Sequence, residues 1–285
     1  MKHLQKRKAV DGFLYGLMIF ASAMIIIALL GIIAYIFFQS AGHGSSGAGH
    51  EGASSLGIRG LIPMIVSTIW TVVVSLALAL PIGVMTAVYL HEYVYKSPVS
   101  RFLGIAIDTL AGIPSIIYGL FGLLFFCRIF NLGQSIIAGG LTLSIMILPV
   151  IIRTTEEALK TIPDSFREGS LSLGATKFQT TRHVVLPSAL PGIVTSAILA
   201  IGRVVGESAP VLLTVGITRN MPRSIFDSGR TLTIHLYYLT KEAINPDDFG
   251  IAFATAAVLV ILVVIINTAT RIISGRFRKK LEGGI

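Results

Sequence analysis

Three ionisable residues stand inside long apolar segments of this chain: Asp108, Arg203 and Glu207. A charged side chain costs about 2.5–3.5 kcal/mol near the centre of a bilayer, so it faces a protein interior or a water-lined path. Arg203 and Glu207 are four residues apart, which places them on one face of a helix. The planar guanidinium fork binds the oxygens of an oxyanion at two points. The pair is therefore a candidate anion site, and mutual neutralisation is the structural alternative.

The composition places these charges in an integral membrane protein. Of 285 residues, 53% are hydrophobic and 13% are charged, and the mean hydropathy is +0.81, which excludes a soluble domain with a charged surface. A helix needs about 20 apolar residues to cross a bilayer core. Six runs are long enough: 13–38, 62–90, 102–126, 134–152, 188–215 and 250–273. We therefore predict an all-α bundle of six transmembrane helices, the first retained as an anchor.

The distribution of lysine and arginine predicts the orientation. With both termini cytoplasmic, the inside segments carry sixteen basic residues and the outside segments six, a bias that sets topology. The inside residues are Lys2, Lys6, Arg7, Lys8, Lys96, Arg101, Arg153, Lys160, Arg167, Lys177, Arg182, Arg271, Arg276, Arg278, Lys279 and Lys280. The outside residues are Arg59, Arg128, Arg219, Arg223, Arg230 and Lys241. Topology thus accounts for the basic net charge, and we predict no nucleic-acid partner.

The depth of each charge follows from this orientation. Counted from Pro191 at ~1.5 Å per residue, Arg203 lies ~18 Å along its span, near the midplane of a ~30 Å hydrocarbon core. Glu207 is predicted one turn farther along the same helix face. Asp108 lies nearer the cytoplasmic end, where a structural hydrogen bond to a helix terminus and a place in the path both fit. Arg153, at the end of the fourth run, is predicted to be a cytoplasmic anchor.

The polar stretch at 153–187 interrupts the apolar segments on the cytoplasmic side. Thr161, followed by a proline and an acidic residue, predicts a helix start, and Gly174 predicts its end. A second short helix, ATKFQTTRHVV, then leads to Pro187. Helices this short are marginal alone, so exposed apolar residues on them indicate a protein partner. Those residues are Phe166, Leu171 and Leu173.

Residues of this stretch resemble the EAA loop of ABC importer permeases, whose pattern is E-A-A-x3-G-x9-I-x-L-P. The matching positions are Glu168, Gly169, Ser170, Gly174, Val184, Leu186 and Pro187. Gly169 and Ser170 stand where alanines are usual, and Val184 stands in place of isoleucine; these small exchanges keep the spacing. In that family the loop is a coupling helix that docks in a groove of an ATPase subunit. The resemblance implies the same role here.

The resemblance extends over most of the chain. LPIGVMTAVYLHEY (80–93), DTLAGIPSIIYGLF (108–121) and GRVVGESAPVLLTVG (202–216) are similar to the PstA-type permease subunits of phosphate-specific ABC importers. It implies a type I ABC importer permease fold, with an N-terminal helix and loop at 1–61 and a permease core at 62–285 that includes the EAA loop at about 156–187. It also implies that Arg203 and Glu207 lie on the path of phosphate.

The implied partners supply the chemistry that this chain lacks. The sequence contains no G-x4-G-K-[ST] phosphate loop, so ATP hydrolysis requires another polypeptide, and we predict no catalytic residue or cofactor in this chain. The resemblance implies two PstB-like ATPase subunits that bind ATP and Mg²⁺, a PstC-like sister permease and an external PstS-like phosphate-binding protein. The implied location is the cytoplasmic membrane of a bacterium or archaeon.

The sequence leaves several alternatives open for the substrate and the class of the protein. The substrate is phosphate or another oxyanion such as sulfate, and the chain is a PstA-type or a PstC-type subunit. A secondary transporter or channel leaves the EAA-like loop unexplained. A hydrolase that uses Ser208 beside Glu207 lacks a histidine within a predicted span. His43, His50 and Glu51 lie in a glycine- and serine-rich loop without fixed geometry, so no metal site is predicted.

Overall fold

The computed structural model describes residues 2–43, 58–94, 97–242 and 246–282, and nearly all of this part of the chain is helical. The helices are α1 (Lys2–His43), α2 (Ile58–Val88), α3 (Pro98–Ala111), α4 (Ser115–Gly122), α5 (Ile136–Lys160), α6 (Asp164–Ser172), α7 (Lys177–Thr180), α8 (Leu186–Gly206), α9 (Ala209–Thr214), α10 (Leu232–Glu242) and α11 (Pro246–Glu282). Three π-helical turns continue them: Tyr89–Tyr93 extends α2, Leu123–Ile129 extends α4, and Thr181–Val185 joins α7 to α8. The predicted all-α class is confirmed. His50 and Glu51 lie outside the described residues.

Five helical segments are long and apolar enough to cross a bilayer: Leu14–Ala41, Gly60–Tyr93, Ile136–Lys160, Lys177–Gly206 and Phe249–Ile272. The third predicted run, 102–126, is not one straight helix. It is divided between α3 and the helix Ser115–Ile129, which meet at 95°. Pro114 has no amide hydrogen and disfavours helical backbone in the residue before it, so α3 ends at Ala111. The pair forms a broken span or a re-entrant segment.

The fifth predicted run, 188–215, is also interrupted. α8 ends at Gly206, Glu207 has extended backbone with ψ of 133°, and α9 begins at Ala209. In a continuous helix the amide of residue 210 would donate to the carbonyl of Gly206, but Pro210 has no amide hydrogen. The break therefore falls directly after the segment that carries Arg203.

The core forms where α2 and α8 pack on α5. A Cβ atom added to Gly83 on α2 would lie 2.6 Å from Ile151 Cγ2 on α5, so the two helices meet there without space for a side chain. On α8, a Cβ atom added to Gly192 would lie 2.1 Å from the Cβ of Ala158 on α5. Such close approaches are typical of membrane helix packing. The three helices consequently form one tightly packed unit.

The N-terminal helix α1 packs along α11, where the rings of Tyr35 and Phe253 meet edge to face at 5.6 Å between centroids. Large apolar side chains on the rest of α1 are exposed, among them Phe20, Ile27 and Phe38. A surface of this kind is stable in contact with lipid or with another membrane helix. The proposed boundary at residue 61 stays a prediction.

Candidate translocation and coupling sites

The structure brings Arg203 and Glu207 together at the end of α8. Arg203 Nε lies 3.8 Å from Glu207 Oε1, and the side chains are 32% and 16% exposed. This separation exceeds hydrogen-bond length, so the pair is close but not locked. The prediction that Glu207 lies one turn along the same helix was wrong, because the helix ends at Gly206 and Glu207 is its extended cap residue.

Helix breaks surround this pair. Tyr118, on α4, is buried in the same apolar cluster as Val204 and Val205 of α8. Its hydroxyl donates a 2.7 Å hydrogen bond to the carbonyl of Leu110, across the break between α3 and α4. The same carbonyl also accepts a 3.1 Å hydrogen bond from the amide of Ile113, so Tyr118 is an additional donor to it at the bend. Broken helices at membrane depth are tolerated where protein or a water-lined cavity satisfies the backbone.

The end of α8 gives Arg203 a structural role. The last turn of a helix carries a partial negative charge of about half an electron, which a nearby cation stabilises. One of its carbonyls, that of Val205, accepts a 2.6 Å hydrogen bond from the Thr233 hydroxyl on α10. Arg203 lies within this last turn and complements the dipole. The site combines a cation, a carboxylate that lies 3.8 Å from it and the backbone break that follows α8.

Asp108, on α3, pairs with Arg153 of α5. Arg153 donates from Nε to Asp108 Oδ1 at 2.8 Å and from Nη1 to Glu156 Oε2 at 2.8 Å. It also donates to the carbonyl of Gly104 at 2.9 Å. The Arg153–Asp108 pair joins α3 to α5. Asp108 therefore pairs with a charged side chain and not with a helix terminus. Sequence reasoning treated Arg153 as an anchor and missed this pairing.

The segment between α5 and α8 contains the two predicted helices with a bend at Gly174, whose φ is +85°, a value that favours glycine. Thr176 and Gln179 form a reciprocal capping box that starts α7. Two boundaries differ from prediction. α6 begins at Asp164 instead of Thr161, because Thr161 ends α5. α7 does not stop at Pro187 but continues through the π-helical turn into α8.

The surface of this segment is available to a partner. Glu168, Gly169 and Gly174 are exposed, while Ser170 is half-buried. Leu186 and Pro187 lie in the first turn of α8, so only part of the predicted motif belongs to the protruding segment. Large exposed apolar side chains accompany it: Phe166, Leu171, Leu173 and Phe178. Leucine at 91% exposure, as at Leu173, is unfavourable in water and indicates a covering protein.

Comparison with known proteins identifies the class of the chain. The family described as binding-protein-dependent transport system inner membrane component matches residues 79–279. The chain belongs to this family. The permease is 33% identical over 289 residues to the probable ABC transporter permease protein YqgI of Bacillus subtilis (strain 168), covering 96% of this chain and 98% of that relative. It is 41% identical over 197 residues to the phosphate transport system permease protein PstA of Mycobacterium leprae (strain TN), covering 68% of this chain and 64% of that one.

Solved structures share the fold of the permease. A chain of a bacterial alginate ABC transporter, in complex with a periplasmic protein bound to an alginate pentasaccharide, superposes with a TM-score of 0.68 at 15% identity, covering 94% of this chain and 96% of that one. A chain of the MetNI methionine ABC transporter superposes with a TM-score of 0.59 at 24% identity, covering 81% and 99%. The predicted type I importer permease fold is confirmed, and the permease is a multi-pass membrane protein.

The permease also contains a buried polar group that sequence reasoning missed. Leu232, Ile234 and His235 of α10 are fully buried. Among the described residues, neither ring nitrogen of His235 has a hydrogen-bond partner. Burial, reinforced by nearby Arg230, lowers the pKa of His235 to about 4. The imidazole is therefore neutral at physiological pH. No local sequence pattern indicates that it is buried.

Proposed function

We propose that this permease is the PstA-type subunit of an ATP-driven importer of inorganic phosphate. The observation that carries the proposal is Arg203, a cation at a helix break inside a chain whose relatives include phosphate permeases. Besides the Mycobacterium leprae protein, PstA 1 of Mycobacterium tuberculosis is 40% identical over 202 residues, covering 70% of this chain and 66% of that relative. A PstC-type relative, PstC 2 of Mycobacterium bovis, is 31% identical over 249 residues, which favours the PstA type.

Arg203 has the chemistry to assist an anion across the break. Its guanidinium offers a planar fork to phosphate oxygens, and its 3.8 Å separation from Glu207 leaves donors that are not committed to the carboxylate. The end of α8 alone would repel an anion, since its carbonyls carry partial negative charge. Arg203 offsets this repulsion. Glu207 holds the guanidinium while the path is empty or accepts a hydrogen bond from a protonated phosphate.

The cytoplasmic segment supplies the link to ATP. α6, the bend at Gly174 and α7 dock in a groove of an ATPase subunit through the exposed apolar residues and Glu168. Two such subunits bind ATP and Mg²⁺, a PstC-like permease pairs with this one, and an external phosphate-binding protein delivers the anion. Both termini face the cytoplasm, and the complex lies in the cytoplasmic membrane of a bacterium or archaeon. This arrangement explains a transport chain without a phosphate loop.

The test is transport by the purified complex in proteoliposomes. Uptake of radiolabelled phosphate should require ATP and the binding protein, and collapse of the proton gradient with an ionophore should not abolish it. Excess unlabelled sulfate should compete weakly. Efficient sulfate uptake would reassign the substrate to another oxyanion, because a guanidinium fork does not by itself distinguish the two. Uptake driven by the proton gradient without ATP would indicate a secondary transporter.

A further inference from the structure

α6 protrudes from the bundle and touches it through few side chains. All residues of Asp164–Ser172 are exposed except Arg167 and Ser170, which are half-buried. Ser170 Oγ lies 2.9 Å from Thr180 Oγ1, a bond to the neighbouring α7. Arg167 points the other way, into the body of the permease. Whatever force acts on α6 reaches the other helices through a small number of polar contacts.

Arg167 joins three elements at once. Its Nη2 donates to Glu92 Oε1 at 2.9 Å, and its Nε donates to the same oxygen at 3.2 Å. Nη1 donates to the carbonyl of Ile162 at 2.9 Å, and Nη2 to that of Leu159 at 3.1 Å, so the guanidinium also caps the end of α5. The side chains of Arg167 and Glu92 are 15% and 7% exposed, whereas the other carboxylate on this guanidinium, Asp164, is 86% exposed.

Glu92 lies just past the C-terminal end of α2, the helix that packs most extensively on α5. It lies in the π-helical turn Tyr89–Tyr93, which continues α2. α2 in turn meets α5 without intervening space at Gly83 and Ile151. A displacement of α6 that pulled on Arg167 would therefore act on α2 and α5 together, through atoms that are already in contact.

We propose that the buried Arg167–Glu92 pair is the strut that transmits movement of the ATPase-docked α6 to the membrane helices α2 and α5. Arg167 and Glu92 are positioning residues, since neither lies at the candidate anion site. The inference deepens the proposed function and depends on α6 docking with an ATPase. Only an arginine fits, because its planar fork reaches Glu92 and two carbonyls at once, while a lysine is a point donor on a flexible stem.

The design uses the complete transporter with two strut variants and one matched control. Glu92→Gln removes the buried carboxylate charge, and Arg167→Lys keeps a cation but loses the fork. Glu157→Gln removes an exposed carboxylate that pairs with Lys160 on α5, outside the docking segment, and is the control. A reporter cysteine replaces Ile62, near the outer end of α2 and exposed, in a Cys127→Ser background. Its labelling rate by a membrane-impermeant maleimide is measured with and without ATP and vanadate, beside ATP hydrolysis, phosphate uptake and complex abundance.

In the parent complex, ATP should change the reporter labelling rate at least threefold. Both strut variants should assemble and hydrolyse ATP, yet lose this change and lose at least tenfold in phosphate taken up per ATP. The control should stay within twofold of the parent. An unchanged labelling response and transport ratio in both variants would overturn the strut, and so would a parent complex in which α2 does not respond to ATP.

Assembly and substrate are separated from the strut by the same measurements. If both strut variants lose activity only in proportion to complex abundance, the pair stabilises the fold and transmits nothing. The labelling readout needs no transported substrate. A parent complex with an ATP response at α2 but no phosphate uptake therefore contradicts the proposed substrate, and loss of that response in Glu92→Gln still supports the strut.

Discussion

Replacement of Arg203 by glutamine tests the anion path most directly. Two unit charges about 4 Å apart interact by about 4 kcal/mol at an effective dielectric constant of about 20. Arg203 Nε and Glu207 Oε1 are 3.8 Å apart, but the arginine is 32% exposed, so solvent screening reduces the interaction to about half, ~2 kcal/mol. A phosphate that takes the place of Glu207 gains an interaction of the same order as it crosses. Loss of this interaction in Arg203→Gln raises the free-energy barrier to phosphate crossing by the same ~2 kcal/mol, so uptake should fall about 30-fold.

The assay measures initial phosphate uptake and complex abundance in Arg203→Gln, Arg203→Lys, Glu207→Gln and the Arg203→Gln/Glu207→Gln double variant. Arg203→Lys should retain part of the activity, since it keeps the charge and loses the fork. The double variant should remain as inactive as Arg203→Gln, because the anion still meets no cation. Lys160→Gln, which breaks the exposed pair between Lys160 and Glu157, is the control and should transport normally.

Recovery of uptake in the double variant would refute the path. It would mean that Arg203 serves only to neutralise Glu207 and that the single variant fails because it strands a carboxylate in the membrane. Normal uptake by Arg203→Gln at full abundance would refute it equally. Loss of assembled complex in step with loss of uptake would assign Arg203 to the stability of the α8 terminus instead.

Three further predictions concern topology, coupling and pH. Single cysteines at Ser45 and Ser165 in a cysteine-free background should label from opposite sides of the membrane, and labelling from one side would contradict the proposed orientation. Glu168→Lys and Gly174→Pro should each leave insertion intact but uncouple ATP hydrolysis from uptake, measured as phosphate per ATP; wild-type ratios in both would remove the docking role. Burial lowers the pKa of His235 to about 4, below the value of about 6.5 in the unfolded chain. Between these two pH values the unfolded chain binds more protons than the folded one. The free energy of unfolding therefore falls as the pH is lowered through this window, by about 3 kcal/mol in all. His235→Leu should flatten the dependence of melting temperature on pH between 7.5 and 4.5, and an unchanged slope would contradict this origin.

Local properties of the sequence determined the class of the fold and much of the coupling segment. Apolar runs long enough for a bilayer predict the five continuous spans, since a helix in lipid satisfies its own backbone and needs no distant partner. The bend at Gly174 was predictable because a left-handed C-terminal residue is a local requirement that glycine meets best. Charges inside apolar runs identified Arg203 and Glu207 as a pair, and the structure brings them within 3.8 Å.

Tertiary structure decided the rest. Pro114 and Pro210 are visible in the sequence, but prolines also occur inside the unbroken helices α2, α5 and α8, so a break depends on the neighbours that satisfy the freed backbone. Arg167 meets Glu92 across 75 residues of sequence. His235 is buried because α10 packs inward. Helix propensity, capping and span length act within a few turns of chain, whereas the partner of a charge and the burial of a side chain depend on which helices pack together, and no local pattern contains that information.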